Sequence, residues 1–224
     1  MGNEDWALVV AIIAVIVGIG SLGLTWLSTR AAKKAIDTSI EIYEKQKIDS
    51  EQEIEKAKKL KLKAIKNIVR SKLESNYVSY GGVIKVFDEI KSGNDIQILF
   101  QEFEFNDFTI SCYDGKAKSF NKNIPPVCDS IEILYEVSLL DDDFSKMLID
   151  LNDAHTMLIG VLDIFIKSAN NTTYSEEFKL NNLRSVVSYF YYIIDGYGKL
   201  LEILYPICGG DKSLSDIYGD YKMN

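Results

Sequence analysis

WALVVAIIAVIVGIGSLGLTWL, running from Trp6 to Leu27, carries no charged side chain and is bracketed by the only two tryptophans of the chain, Trp6 and Trp26. As a helix these 22 residues would rise about 33 Å, close to the thickness of a hydrocarbon core. Tryptophan collects at both membrane–water interfaces, where its apolar ring and polar N–H are each accommodated. The stretch is therefore expected to be a transmembrane span, and the remaining sequence is read outward from it.

Upstream stand two acids, Glu4 and Asp5, with no basic side chain. That flank lacks the basic n-region of a cleaved signal peptide, and the apolar run exceeds the usual h-region of about 7–15 residues, so the span is expected to remain as an anchor. Trp6 occupies the position where the myristoylation pattern at Gly2 requires Ser or Thr. Downstream, Arg30, Lys33 and Lys34 follow at once. By the positive-inside rule they set the C-terminal side in the cytoplasm, which gives a single-pass inner-membrane topology with the N-terminus outside. The sequons at Asn170 and Asn171 then read as a surface turn.

Within the span the small residues Ala7, Ala11, Ala14, Gly18, Ser21, Thr25 and Ser28 recur at alternating spacings of four and three. The same seam continues as Ala32, Ala35 and Ser39. Small side chains let helix backbones approach in lipid, where no hydrophobic drive would otherwise bring them together. A 3.5-residue period corresponds to left-handed packing of two or more helices, so the seam predicts a homo-oligomer.

Charge divides the chain. Residues 30–75 hold 13 basic and 8 acidic side chains, whereas residues 76–224 hold 12 and 23, within a formal net charge of −8. An acidic distal part argues against nucleic acid as a partner, because phosphate-backbone binding needs a positive field. The expected organisation is an anchor (1–28), a basic helical connector (29–75) and an acidic all-helical domain (76–224).

In the connector, Ser50-x-x-Glu53 behind Asp49 has the form of a capping box and predicts a fresh helix start, with a hairpin near 48–50. The second helix would run from about Glu51 to Ser75 on Ile54, Ala57, Leu60, Ala64, Ile65, Ile68 and Val69. It carries eight basic residues and no acid between positions 56 and 72. Two readings follow. A fold-back at Asp49 would return Lys66, Arg70 and Lys72 to anionic lipid headgroups; otherwise the lysines are a solvent coat or a dock for the acidic domain.

Beyond Gly81-Gly82 a short helical or buried segment with Val83, Ile84, Val86, Phe87 and Ile90 ends at Ser92-Gly93-Asn94-Asp95. Residues 95–122 fit a helix through Ile96, Leu99, Phe100 and Phe103, although Phe103-Glu104-Phe105 alternates. Pro125-Pro126 opens a helix over about Val127–Leu139. Asp141-Asp142-Asp143 caps another over about Phe144–Ser168, since acids suit an N-terminal dipole. A final aromatic helix spans about Ser175–Ile207, in which Tyr189, Tyr192 and Tyr197 are candidates for a partner surface. The whole reads as all-α, an antiparallel helix bundle behind one span.

Catalytic chemistry needs particular residue types at particular spacings. A lone His155 rules out most metal sites and, with Ser, Thr or Cys at unknown distance, gives no nucleophile–base signal, so it reads as a structural histidine. Glu132 and Glu136 share a face without the Glu-x-x-His of a di-metal bundle. No Gly-x-x-x-x-Gly-Lys-Ser/Thr and no strand-linked Gly-x-Gly-x-x-Gly occurs, so nucleotide binding by the familiar loops is not supported. Cys112, Cys128 and Cys208 lack metal or redox spacing and read as buried thiols of a reducing compartment. No cofactor is expected, and the chain reads as a non-enzyme, an unrecognised enzyme being the remote alternative. The expected function is a self-associating membrane effector or signalling component controlled by its cytoplasmic domain, with stress response or phage defence as an architectural analogy. The alternative is a passive tether for an adaptor that binds a cytoplasmic protein.

Overall fold

The structure is a computed structural model and describes residues 3–92, 101–102, 107–111, 117–121, 123–171 and 173–221. Helix α1 covers Asn3–Ser92, followed by strands β1 (Gln101–Glu102), β2 (Asp107–Ser111) and β3 (Ala117–Asn121). Helices α2 (Ile131–Leu140), α3 (Asp142–Ala169), α4 (Glu176–Tyr189), α5 (Tyr191–Ile207) and α6 (Leu214–Tyr218) complete the order. The chain divides into two units, Met1–Ala57 and Lys58–Asn224. The compact unit thus starts inside the expected connector, well before residue 76.

In the first unit α1 is long and apolar enough to cross a membrane, and no part of its apolar window is buried within the chain. The helix passes through Ile48, Asp49 and Ser50 without a break, so the hairpin expected there does not form. No Gly or Pro occurs between Leu24 and Tyr80. With every backbone N–H offered a carbonyl four residues back, a serine cap has nothing left to stabilise.

The second unit is built on one hydrophobic core. Leu73, Tyr77, Tyr80, Ile84, Phe87 and Ile90 bury one face of α1, joined by Leu148, Leu151, Leu158, Leu162 and Phe165 of α3 and by Ile194, Tyr197, Leu201 and Leu204 of α5. Further back along α1 the packing residues are Leu62, Ile65 and Val69, whereas Ile54, Leu60 and Ile68 are exposed. The expected stripe had therefore mixed two faces. Gly81-Gly82 also leaves α1 unbroken, because the apolar face on both sides of the pair is buried and burial outweighs the glycine propensity cost of about 1 kcal/mol for each residue.

Residues 101–121 correct the helix expected over 95–122. Its described parts form a three-stranded antiparallel sheet in the order β1-β2-β3, with Phe108 opposite Phe120 and Ile110 opposite Lys118. Residues 93–100, 103–106, 112–116 and 122 lie outside the described residues, and with them the expectations for Ile96, Leu99, Phe100, Phe103, Phe105 and Cys112. The strand partner lies within the segment itself. Asp107-Phe-Thr-Ile-Ser111 alternates, and Asp114-Gly115 is a hairpin signal in the sequence that would have found it. Phe120 anchors β3 in the core, its ring 6.3 Å from Phe87 and 6.2 Å from Phe165.

Helix boundaries follow local chemistry. Ser130, rather than the proline pair, caps α2 by accepting from the Ile133 N–H, and Pro125-Pro126 lies in the irregular segment before it. One residue, Asp141, closes α2 and caps α3, its Oδ1 accepting from the Phe144 N–H at 3.0 Å. The expected aromatic helix is two helices, interrupted at Phe190. Helix α6 starts in a capping box made by Ser213 and Asp216.

Candidate functional site

The span seam forms an open face on α1. A Cβ added at Gly18 would meet no other atom of the chain, and Ala7, Ala11 and Ala14 are exposed. Its hydroxyls are already satisfied: Ser21 donates to the Gly18 carbonyl at 2.8 Å, Thr25 to Ser21 at 2.8 Å and Ser28 to Thr25 at 3.0 Å. Hydroxyls bonded back into their own helix present a small surface without an unmet donor, the condition for close helix approach in lipid. Trp6 and Trp26 are exposed, and the Arg30 guanidinium lies 5.4 Å from the Trp26 ring centroid. Lys33 and Lys34 are exposed one turn on.

Three basic residues of α1, Lys61, Lys66 and Lys72, pair with acids of the compact unit. Lys66 donates to Asp141 Oδ2 at 3.1 Å, Lys72 to Asp129 Oδ1 at 3.4 Å, and Lys61 pairs with Glu136 at 3.0 Å. Arg70 donates to the Gly209 carbonyl at 3.0 Å, at the end of α5, where a cation suits the helix dipole. Lys66, Arg70 and Lys72 are thus held by other parts of the same unit, and the hairpin that was to carry them to lipid is absent.

Asp141 is the most heavily used of these groups. The Phe144 N–H, followed by the Lys66 ammonium, holds its carboxyl below the usual aspartate value. A lowered folded-state pKa contributes stability above the unfolded pKa of about 3.9, and that contribution is lost as pH falls through the folded value. Asp141→Ala is expected to cost about 1–2 kcal/mol at neutral pH by loss of the cap and its ion pair. Urea titrations of both proteins should converge on acidification; a constant gap down to pH about 2 would exclude Asp141 as the titrating cap.

The three tyrosines considered as a partner surface separate. Tyr189 and Tyr192 are exposed at 79% and 83%, while Tyr197 is completely buried and belongs to the core. Tyr197 accepts from Asn76 Nδ2 at 3.2 Å, and that same amide donates to the Pro125 carbonyl at 2.9 Å. Nearby, His155 Nε2 lies 2.7 Å from the Ile124 carbonyl, a buried structural contact. These bonds hold the 124–125 backbone against α1 and α3. Tyr205 donates to Glu74 at 2.7 Å, and burial together with that carboxylate pushes its phenol up to about 12. Cys128 and Cys208 are free and buried, and burial pushes the Cys208 thiol up to about 11, far from an activated thiolate.

A cavity of about 400 Å³ opens between α1, α5 and the C-terminal segment. Tyr77, Tyr80 and Tyr221 supply aromatic walls, and Asp195, Glu202 and Asp220 supply carboxylates. Lys199 pairs with Asp195 at 2.6 Å. Glu202 accepts from the Leu214 and Ser215 N–H groups at 3.0 and 2.7 Å, tying the start of α6 to α5. Sequence reading missed this site because its walls lie more than a hundred residues apart. Among the described residues no cluster of His, Cys, Asp and Glu has a metal-binding arrangement.

No family model matches this chain, and no match is found among curated proteins or solved structures. At the class level it is a predominantly helical protein with, among the described residues, one helix apolar enough to cross a membrane.

Proposed function

We propose that this chain is a single-pass inner-membrane protein, N-terminus outside and helical bundle in the cytoplasm, that self-associates through its span. It acts as a non-enzymatic effector or signalling component. One observation carries the reading: α1 contains both the unburied apolar window with its open small-residue face and the helix that contributes Leu73, Tyr80 and Phe87 to the core. Binding that alters core packing would therefore act on the element that carries the seam. Ile36, Ile40 and Tyr43 support association past the membrane edge, being exposed beside Ala35 and Ser39 of the same seam.

Overexpression is expected to depolarise bacterial cells, and Gly18→Leu or Ala14→Leu should abolish both the effect and cross-linking between copies. Unchanged depolarisation and cross-linking in both variants would remove the seam from the mechanism. Exposed Tyr189 and Tyr192 favour a second reading, a passive tether for an adaptor. Replacing residues 6–27 by an unrelated span separates the two: a tether keeps its function, whereas the proposed effector loses it.

A further inference from the structure

We propose that the cavity walled by Tyr77, Tyr80 and Tyr221 binds a small organic ammonium ion. Its volume of about 400 Å³ lies in the range of small-molecule sites. Two helix-interior glycines seat its rings. The Tyr80 ring lies 2.5 Å from where a Gly198 Cβ would stand, and the Tyr221 ring crowds Gly81 more closely still. A side chain at either glycine would displace a wall. The helices carry a residue type they otherwise disfavour at the places where these aromatic faces are set.

The electrostatics select the charge of the occupant. Among the described residues three carboxylates and the Lys199 ammonium line the cavity, and the Lys85 ammonium stands over the Tyr221 ring. Tyr80 is held protonated by burial and then by the Asp195 and Asp220 carboxylates, and Tyr77 by burial and then Glu202. Tyr77 and Tyr80 are thus neutral phenols, only 2% and 3% exposed, and the cation is attracted by the more open Tyr221 ring and by the field of the carboxylates. Tyr221 already takes one cation, the Lys85 Nζ, 5.1 Å from its ring centroid. An anion would meet the carboxylates, and a neutral ligand would forgo both attractions. This binding does not depend on span self-association.

Choline, titrated into the full chain in detergent micelles and followed by ligand-observed NMR, is expected to bind saturably. Its neutral isostere 3,3-dimethylbutan-1-ol should bind roughly tenfold more weakly or worse, the difference being the cation's interaction with rings and carboxylates. Tyr221→Leu and the double change Asp195→Asn/Asp220→Asn should each weaken choline at least about fivefold with the circular dichroism spectrum retained. No saturable choline binding up to about 10 mM, or equal binding of the neutral isostere, would overturn the proposal. So would unaltered choline affinity in both folded variants.

Discussion

Phe87→Ala is expected to destabilise the compact unit by about 3–5 kcal/mol, the range for truncating a buried aromatic ring. Phe87 is fully buried, its ring 4.8 Å from Phe165 and 6.3 Å from Phe120. These rings belong to α1, α3 and β3, so one truncation loosens a helix–helix contact and the seat of the sheet together. Against a typical total stability of about 5–15 kcal/mol, the loss should leave a visible unfolded population at moderate urea. Pulse proteolysis of the full chain in detergent measures it, and Phe87→Leu, which keeps most of the volume, should cost much less. A loss below about 1 kcal/mol for the alanine variant would contradict the packing described.

Gly198→Ala sets two effects of opposite sign against each other. Alanine favours helix over glycine by about 1 kcal/mol. Its methyl, however, would stand 2.5 Å from the Tyr80 ring, which is itself buried between Tyr77 and Tyr197. Overpacking of this kind costs about 1–3 kcal/mol or more, so the net change should be destabilising. Gly196 provides the comparison, since a Cβ there meets nothing within 4 Å. Gly196→Ala should stabilise by about 0.5–1 kcal/mol. Tyr80→Leu should rescue Gly198→Ala in a double-mutant cycle, because the pair shares one contact. If the two glycines respond alike, the ring is not seated against Gly198.

Several structural elements were legible because their signals are local. Asp141 at an N-terminus and the long periodic run of α3 each report through nearby residues, and each has the expected local setting. Other elements were settled by competition that local patterns do not contain. The Ser50-x-x-Glu53 cap yields to an unbroken helix, the glycine pair at 81–82 yields to burial of its neighbours, and a helical pattern over 95–122 yields to strand pairing.

The functional residues divide in the same way. Apolar length, the two indoles and the seven-residue repeat of small side chains are properties of consecutive residues on one helix, so the sequence alone located the apolar window of α1 and the line of small side chains along it. It also showed the charge asymmetry, but not that Lys66, Lys72 and Arg70 would meet Asp129, Asp141 and the end of α5. Only the tertiary structure separated buried Tyr197 from exposed Tyr189 and Tyr192, and only it brought Tyr77, Tyr80 and Tyr221 around one cavity. Helical periodicity specifies the direction in which a side chain leaves its own helix; what it meets there depends on residues more than a hundred positions away and on the volume they leave unfilled.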